Sequence, residues 1–234
     1  MRRRFLIAAL FPLALTAACA GRKPAPAVTP ARDAAAAPFV ESGFLTADYS
    51  RLAPVAPGSV RRAYENPKTK FSSYDKVFID RITIWRDVDQ TEPVDSADFQ
   101  KVVDAIHAVA TREIGKSFKL VDKPGPGVGR LRIALVAIDN PDDRLDVYVS
   151  QGDALLAESD EALPPGLRQF GRGAWLEAEL LDGVTKEPIF AVVDRAANVI
   201  PHAKPIETWR ELQAAFDAWA KQAARRLTEL KNRD

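Results

Sequence analysis

The sequence predicts an α+β fold, a two-layer sandwich with a mostly antiparallel sheet and helices packed on one face, in the order β-α-β-β-β-β-α. Three observations lead there. The last thirty residues carry apolar side chains at helical spacing behind a capping signal. A second stripe of the same period stands near residue 100, and the segments around these two are short runs of β-forming or alternating residues.

The first strand is expected over residues 74–85, where Val77, Phe78, Ile79, Ile82 and Ile84 are β-formers and Asp80 and Arg81 interrupt them. A helix is expected over 95–115. Asp95 or Ser96 caps it, Phe99, Val102, Val103, Ile106 and Ala110 form one face, and Gly115 ends it. Residues 118–121 read as a short strand and 122–127, with Pro124, Gly125, Pro126 and Gly127, as a turn. Leu131, Ile133 and Leu135 alternate through a strand at 130–139. A hairpin follows, with strands at 175–181 and 189–194 joined through Asp182 and Gly183. In its first strand Leu176, Ala178 and Leu180 share a face, and Glu177 and Glu179 are expected to look outward. Thr208 and Glu211 form the capping box of the last helix, and Trp209, Leu212, Phe216, Trp219, Ala220, Ala223, Leu227 and Leu230 mark its buried stripe. Trp209 and Trp219 are therefore expected as core anchors.

Three zones divide the chain: a signal at 1–18, an Ala/Pro-rich tether at 19–38 and a single α+β domain from 39 to 234. Arg2, Arg3 and Arg4 precede an apolar run too short to span a bilayer, and the small residues Ala17 and Ala18 precede Cys19. This arrangement resembles a bacterial lipoprotein signal, which implies acylation of Cys19, palmitate among the chains, and cleavage before it. Ala20 after the cysteine points to the outer membrane. One acyl chain gives only marginal, reversible binding, so several are needed for a firm anchor. Arg2-Arg3-Arg4-Phe5-Leu6 also fits a twin-arginine export signal, and the choice between that route and general secretion stays open. The tether has too little apolar area to offset the entropy of ordering and is expected to reach about 25 Å on average. Ser42, Gly43, Phe44, Leu45 and then Tyr49 and Leu52 place apolar groups in an irregular stretch, which suggests a segment packed across the domain.

Charge excludes one class. The basic and acidic counts are 33 and 32, and the signal removes three arginines and no acid, so no nucleic-acid footprint exists. Arg61-Arg62 and Arg225-Arg226 read as solvated pairs. Cys19 is the single cysteine, so no disulfide forms within the chain. Of the two histidines, His107 falls at the rim of an apolar helix face and His202 in a loop; neither has metal-ligand spacing, and no metal or cofactor is expected. Asp139, Asp142, Asp143 and Asp146 gather acid with Arg144 among them, at a spacing that fits turn formation better than a cation loop. Asp75, Asp80, Asp182 and Asp194 stand at strand ends, where turn chemistry is the simpler reading than paired carboxylates. Gly125-x-Gly127-x-Gly129 precedes a strand rather than a helix, so no phosphate cradle follows. No Gly-x-Ser-x-Gly elbow is present, and no catalytic residues are assigned.

Several segments together resemble a known family. They are Ser42-Gly43-Phe44-Leu45, Asp48-Tyr49-Ser50-x-Leu52, Tyr74-Asp75-Lys76-Val77 and Ile82-Thr83-Ile84-Trp85, with Glu177-Ala178-Glu179-Leu180-Leu181-Asp182, Trp209, Phe216 and Trp219. The set is similar to an uncharacterised bacterial lipoprotein family, the domain of unknown function 3313. The resemblance covers nearly all of 39–234, except the segment 140–172. It implies a Gram-negative envelope lipoprotein and assigns no catalytic residues. The expected role is a non-enzymatic binding or assembly module on the periplasmic face of the outer membrane, held to the membrane by acylated Cys19. Its partner would be an envelope protein or glycan, or a second copy of itself. The alternatives are a carrier of a small apolar ligand or lipid, and a hydrolase with its site in 140–172.

Overall fold

Strand β6 (Val128–Ala137) is the axis of the structure, a computed structural model that describes residues 41–56, 61–87, 95–137, 144–147, 155, 159–168, 175–195 and 206–233. On one side β6 takes β8 (Trp175–Asp182) antiparallel; β9 (Pro188–Arg195), β2 (Arg62–Glu65) and β1 (Ala53–Pro54) follow outward, each antiparallel to the last. On the other side β3 (Lys76–Ile79) and β4 (Thr83–Asp87) share one lane along β6, both parallel to it. Strand β5 (Lys119–Leu120) extends β3, and β7 (Arg144–Val147) extends β4. These nine strands, among the described residues, make one mixed, mostly antiparallel sheet.

The expected strand at 74–85 is thus two strands. Ile79 pairs with Leu131 and Thr83 with Ala134, so four steps along this lane meet three along β6. The extra residue is a bulge, and it resets which side chains face inward. Val77 points to the helices before it and Ile84 after it, both essentially unexposed. Asp80 anchors the break, its amide donating to Leu131 O at 2.8 Å and its carboxylate accepting from Arg130.

Helices α1 (Ser96–Ile114) and α2 (Trp209–Arg233) pack on one face, as expected. Asp95 caps α1 by accepting from the Ala97 amide at 2.9 Å. The capping box of α2 forms: the Glu211 amide donates to Thr208 Oγ1, and the Glu211 carboxylate accepts from the Glu207 and Thr208 amides. Trp209 and Trp219 are both buried. Between helices and sheet lies the larger core, with Ile106, Ile133, Leu176, Phe216 and Leu230 almost wholly buried. Within 159–168, a described part of the 140–172 segment, Leu163 and Leu167 plug this core and the backbone bonds to the start of α2.

The second sheet face is covered too. Residues 42–52 lie across it as a strap, enclosing a smaller core of Phe44, Leu45, Tyr49 and Leu52 against Tyr64, Trp85, Val136, Trp175 and Val193. Gly43 turns the strap at φ 82°, a conformation side-chain-bearing residues avoid. Asp48 then accepts from the Ser50 amide and opens a 3₁₀ turn, Tyr49–Arg51, which aims Tyr49 inward.

Candidate functional site

The first polar cluster sits under the strap. Glu177 and Glu179, expected to look outward, are fully buried, because the face they occupy is the one that the strap covers. Glu177 accepts from Tyr49 Oη at 2.6 Å and from Trp175 Nε1 at 2.8 Å. Burial pushes the Glu177 carboxyl above the usual carboxylate range; the Trp175, Tyr49 and Ser42 donors pull against that, and Glu179 adds to the push. Burial, with Glu177 beside it, raises the Tyr49 hydroxyl as well. Glu179 accepts from the Thr46 amide at 2.7 Å and Thr46 Oγ1 at 3.0 Å, and it pairs with Arg132, its direct cross-strand neighbour. The Arg132 guanidinium in turn covers the Phe44 ring at 4.5 Å. Strap and strand are therefore closed on each other. This cluster fastens the strap to the sheet.

The second feature is open. Where α2 passes over β2 and β9, a cleft of about 750 Å³ remains between helix and sheet, within the roughly 300–1,000 Å³ of small-molecule sites. Its floor is apolar, with Leu131, Ala178, Phe190 and Val192 on the sheet and Trp219 and Ala223 on the helix. The small residues account for the gap, since Ala63, Ala178 and Ala223 fill little of the space between the layers.

Ionic links bound the cleft at both ends of β2. At one end Arg61 Nη2 donates to Asp194 Oδ2 on the sheet and to Gln222 Oε1 on α2, bridging the layers. At the other, Glu65 pairs with Arg226 and Arg233 of α2. Four residue steps separate these links, about 13 Å at the usual rise. Asp194 is 2% exposed. Its second oxygen, Oδ1, is buried with no hydrogen-bond partner among the described residues. Burial pushes the Asp194 carboxyl up, against the pull of Arg61. An unmet buried acceptor costs about 1–3 kcal/mol, and more on a charged group.

Arg61 therefore departs from the expectation of a solvated pair: it is mostly buried and spans two layers. Arg225 and Arg226 lie at the cleft rim and pair with Glu229. Of the four strand-end aspartates, Asp182 follows turn chemistry. Although burial pushes it up, the Thr185 and Val184 amides and the Tyr74 hydroxyl hold its carboxyl below the usual range. Burial first and Asp182 second push Tyr74 up to about 12. Asp80 pairs with Arg130, and Asp75 is exposed beside Lys76. Asp194 alone of the four enters the cleft, and nothing in its spacing marks it. His107 lies half-buried on α1. Gly127 takes φ 68° in the turn entering β6, and a Cβ at Gly129 would stand 2.8 Å from the Leu180 side chain, so both glycines have a reason without a phosphate. Asp146 pairs through its backbone with Trp85, while Cys19, His202, Asp139, Asp142 and Asp143 lie outside the described residues. Among the described residues no three His, Cys, Asp or Glu side chains gather as a metal site, and no helix is long and apolar enough to cross a membrane.

The class these features define is an α+β sandwich, strapped on one sheet face and open as a cleft on the other. The chain belongs to the protein family of unknown function DUF3313, whose model matches residues 40–223. No curated protein matches the chain. Among solved structures it is similar to a PelC dodecamer from Paraburkholderia phytofirmans, at 9% identity over 70% of this chain and 95% of that chain, with a TM-score of 0.32. It is also similar to a DUF4136 family protein from Bacteroides thetaiotaomicron VPI-5482, at 10% identity over 70% and 96%, with a TM-score of 0.36. Likenesses this distant carry nothing further to this chain.

Proposed function

We propose that the protein is a lipid-anchored envelope lipoprotein, held by acylated Cys19 at the periplasmic face of the outer membrane, whose domain is a non-enzymatic binding module. We place its ligand seat in the cleft between α2 and strands β2 and β9. The observation that carries this reading is the cleft itself, apolar on its floor and ionic at its ends. The carrier alternative is favoured over a large protein-docking face. The cleft offers a concave apolar floor of a size that suits a small ligand, whereas a docking face needs a contiguous exposed patch of several hundred Å².

Two experiments test it. Cells fed an alkyne-bearing palmitate should label the wild-type protein and not Cys19→Ser; equal labelling removes the anchor. Purified full-length protein should enhance the fluorescence of the neutral apolar probe N-phenyl-1-naphthylamine at a single site. Ala223→Phe should weaken that binding by about tenfold or more while leaving the thermal midpoint nearly unchanged, because it fills space that no residue uses. Absence of probe binding by the wild type would remove the cleft as a seat.

A further inference from the structure

We propose that the cleft takes a free fatty carboxylate, a single alkyl chain lying along Phe190 and Val192 with its anionic head at Arg51 and Arg225. This rests on the cleft being the ligand seat and adds the chemistry of what sits there.

The two ends of the cleft differ in what a ligand can reach. At the Asp194 end the Arg61 guanidinium is held by Asp194 and Gln222 and is mostly buried. At the Glu65 end the guanidiniums stand in water: Arg51 is exposed, and the side chains of Arg225 and Arg226 are 72% and 44% exposed. Cations outnumber anions there. Arg225, Arg226 and Arg233 share two carboxylates, Glu65 and Glu229. Arg51 lies 4.3 Å from the ring centre of Tyr64, the neighbour of Glu65. Asp48 of its own turn is nearby, and Arg51 makes no ion pair with the described residues.

A carboxylate is what this rim already takes. Glu65 pairs with both Arg226 and Arg233, and Glu229 with both Arg225 and Arg226, so one more carboxylate continues the alternation. A hydrated rim also spares the head the cost of full burial. From the rim inward the surface is carbon. Phe190 stands opposite Glu65 in register and Val192 opposite Ala63, with Trp219 and Ala223 across from them on the helix. An alkyl chain matches that run; a sugar or peptide would leave polar groups unmet.

The test displaces N-phenyl-1-naphthylamine from full-length protein at neutral pH with three ten-carbon probes: decanoate, decyltrimethylammonium and 1-decanol. They share the chain and differ in the charge of the head. Decanoate should bind about tenfold more tightly than decyltrimethylammonium, since exposed ion pairs attract the one head and repel the other. The double variant Arg51→Gln with Arg225→Gln removes the two cations and leaves the Arg226–Glu65 link intact. Both side chains are exposed, so its thermal midpoint should stay close to that of the wild type. In it decanoate should weaken about fivefold, the upper worth of an exposed ion pair, while decanol changes by less than about twofold. Binding of decyltrimethylammonium as tight as that of decanoate overturns the anionic head. Decanoate binding that the double variant leaves unchanged, or decanol weakened as much as decanoate, overturns the placement at Arg51 and Arg225. In each case binding of the naphthylamine by the wild type leaves the cleft standing as a seat, and its absence removes the seat itself.

Discussion

Tyr49 and Trp175 hold the Glu177 carboxyl between them, and the contest between burial and these donors sets how stability answers to pH. The net shift is upward. A carboxyl raised above its unfolded value, about 4.3 for glutamate, contributes stability that is fully present below that pKa. The contribution is lost as pH rises through the folded value. Glu177→Gln keeps an acceptor for Trp175 and never ionises, so it should remove this part of the slope. The thermal midpoint of the variant should gain on the wild type between pH 5 and pH 8. Parallel curves, followed by calorimetry at each pH, would mean that Glu177 does not titrate in that window. Asp194 is raised in the same direction and remains in both proteins, so it cancels from the comparison.

At the scale of elements, the bulge between β3 and β4 makes a sharp expectation. The lane carries one residue more than β6 across Asp80–Ile82, and Arg81 is exposed there. Deleting Arg81 leaves a regular strand in which Ile79, Ile82 and Ile84 alternate on the helix side, with Ile84 still opposite Leu135. The variant should fold, with near-ultraviolet circular dichroism like the wild type. Deleting Arg132 from β6 instead turns half of that strand over and should abolish the folded signal. If both deletions behave alike, the bulge is not what sets the faces. The sequence carries this parity change openly, since Val77 and Ile79 are odd and Ile82 and Ile84 are even. Both helices, β6 and the last hairpin were equally legible, each stating its period over a long enough run. Strand β2 was not: Arg-Ala-Tyr-Glu holds no run of β-formers, and the pairing with β9 decides it. The cleft was hidden for a related reason. Arg61, Asp194 and Gln222 are far apart in sequence, and only the packing of α2 over β2 and β9 unites them. Alternation in β8 correctly separated its two faces. It could not reveal that the second face has a cover, because that cover comes from more than a hundred residues away.

For the molecule as a whole, the strap gives the sheet a second apolar core on the face away from the helices. Phe44, Leu45 and Leu52 are each more than nine-tenths buried in it. Fully burying such side chains contributes about 1.5–3 kcal/mol apiece. Replacing all three with serine should therefore cost on the order of 5 kcal/mol, a large part of what holds a domain of this size. The urea midpoint should fall accordingly, and an anionic dye that binds exposed apolar surface should brighten against Trp85 and Trp175. An unchanged midpoint would show the strap to be ornamental.

The strap also reverses the order of birth and settlement. Thr46 leaves the ribosome early, and its partner Glu179 comes 133 residues later. At about 5–20 residues per second, that is a wait on the order of ten seconds. Throughout it the strap has only part of its surface to rest on, since Tyr64, Trp85 and Val136 precede β8 and Trp175, Glu177 and Val193 do not. The first segment made is among the last to find its place, and whatever escorts the young chain has to shield its beginning until β8 arrives.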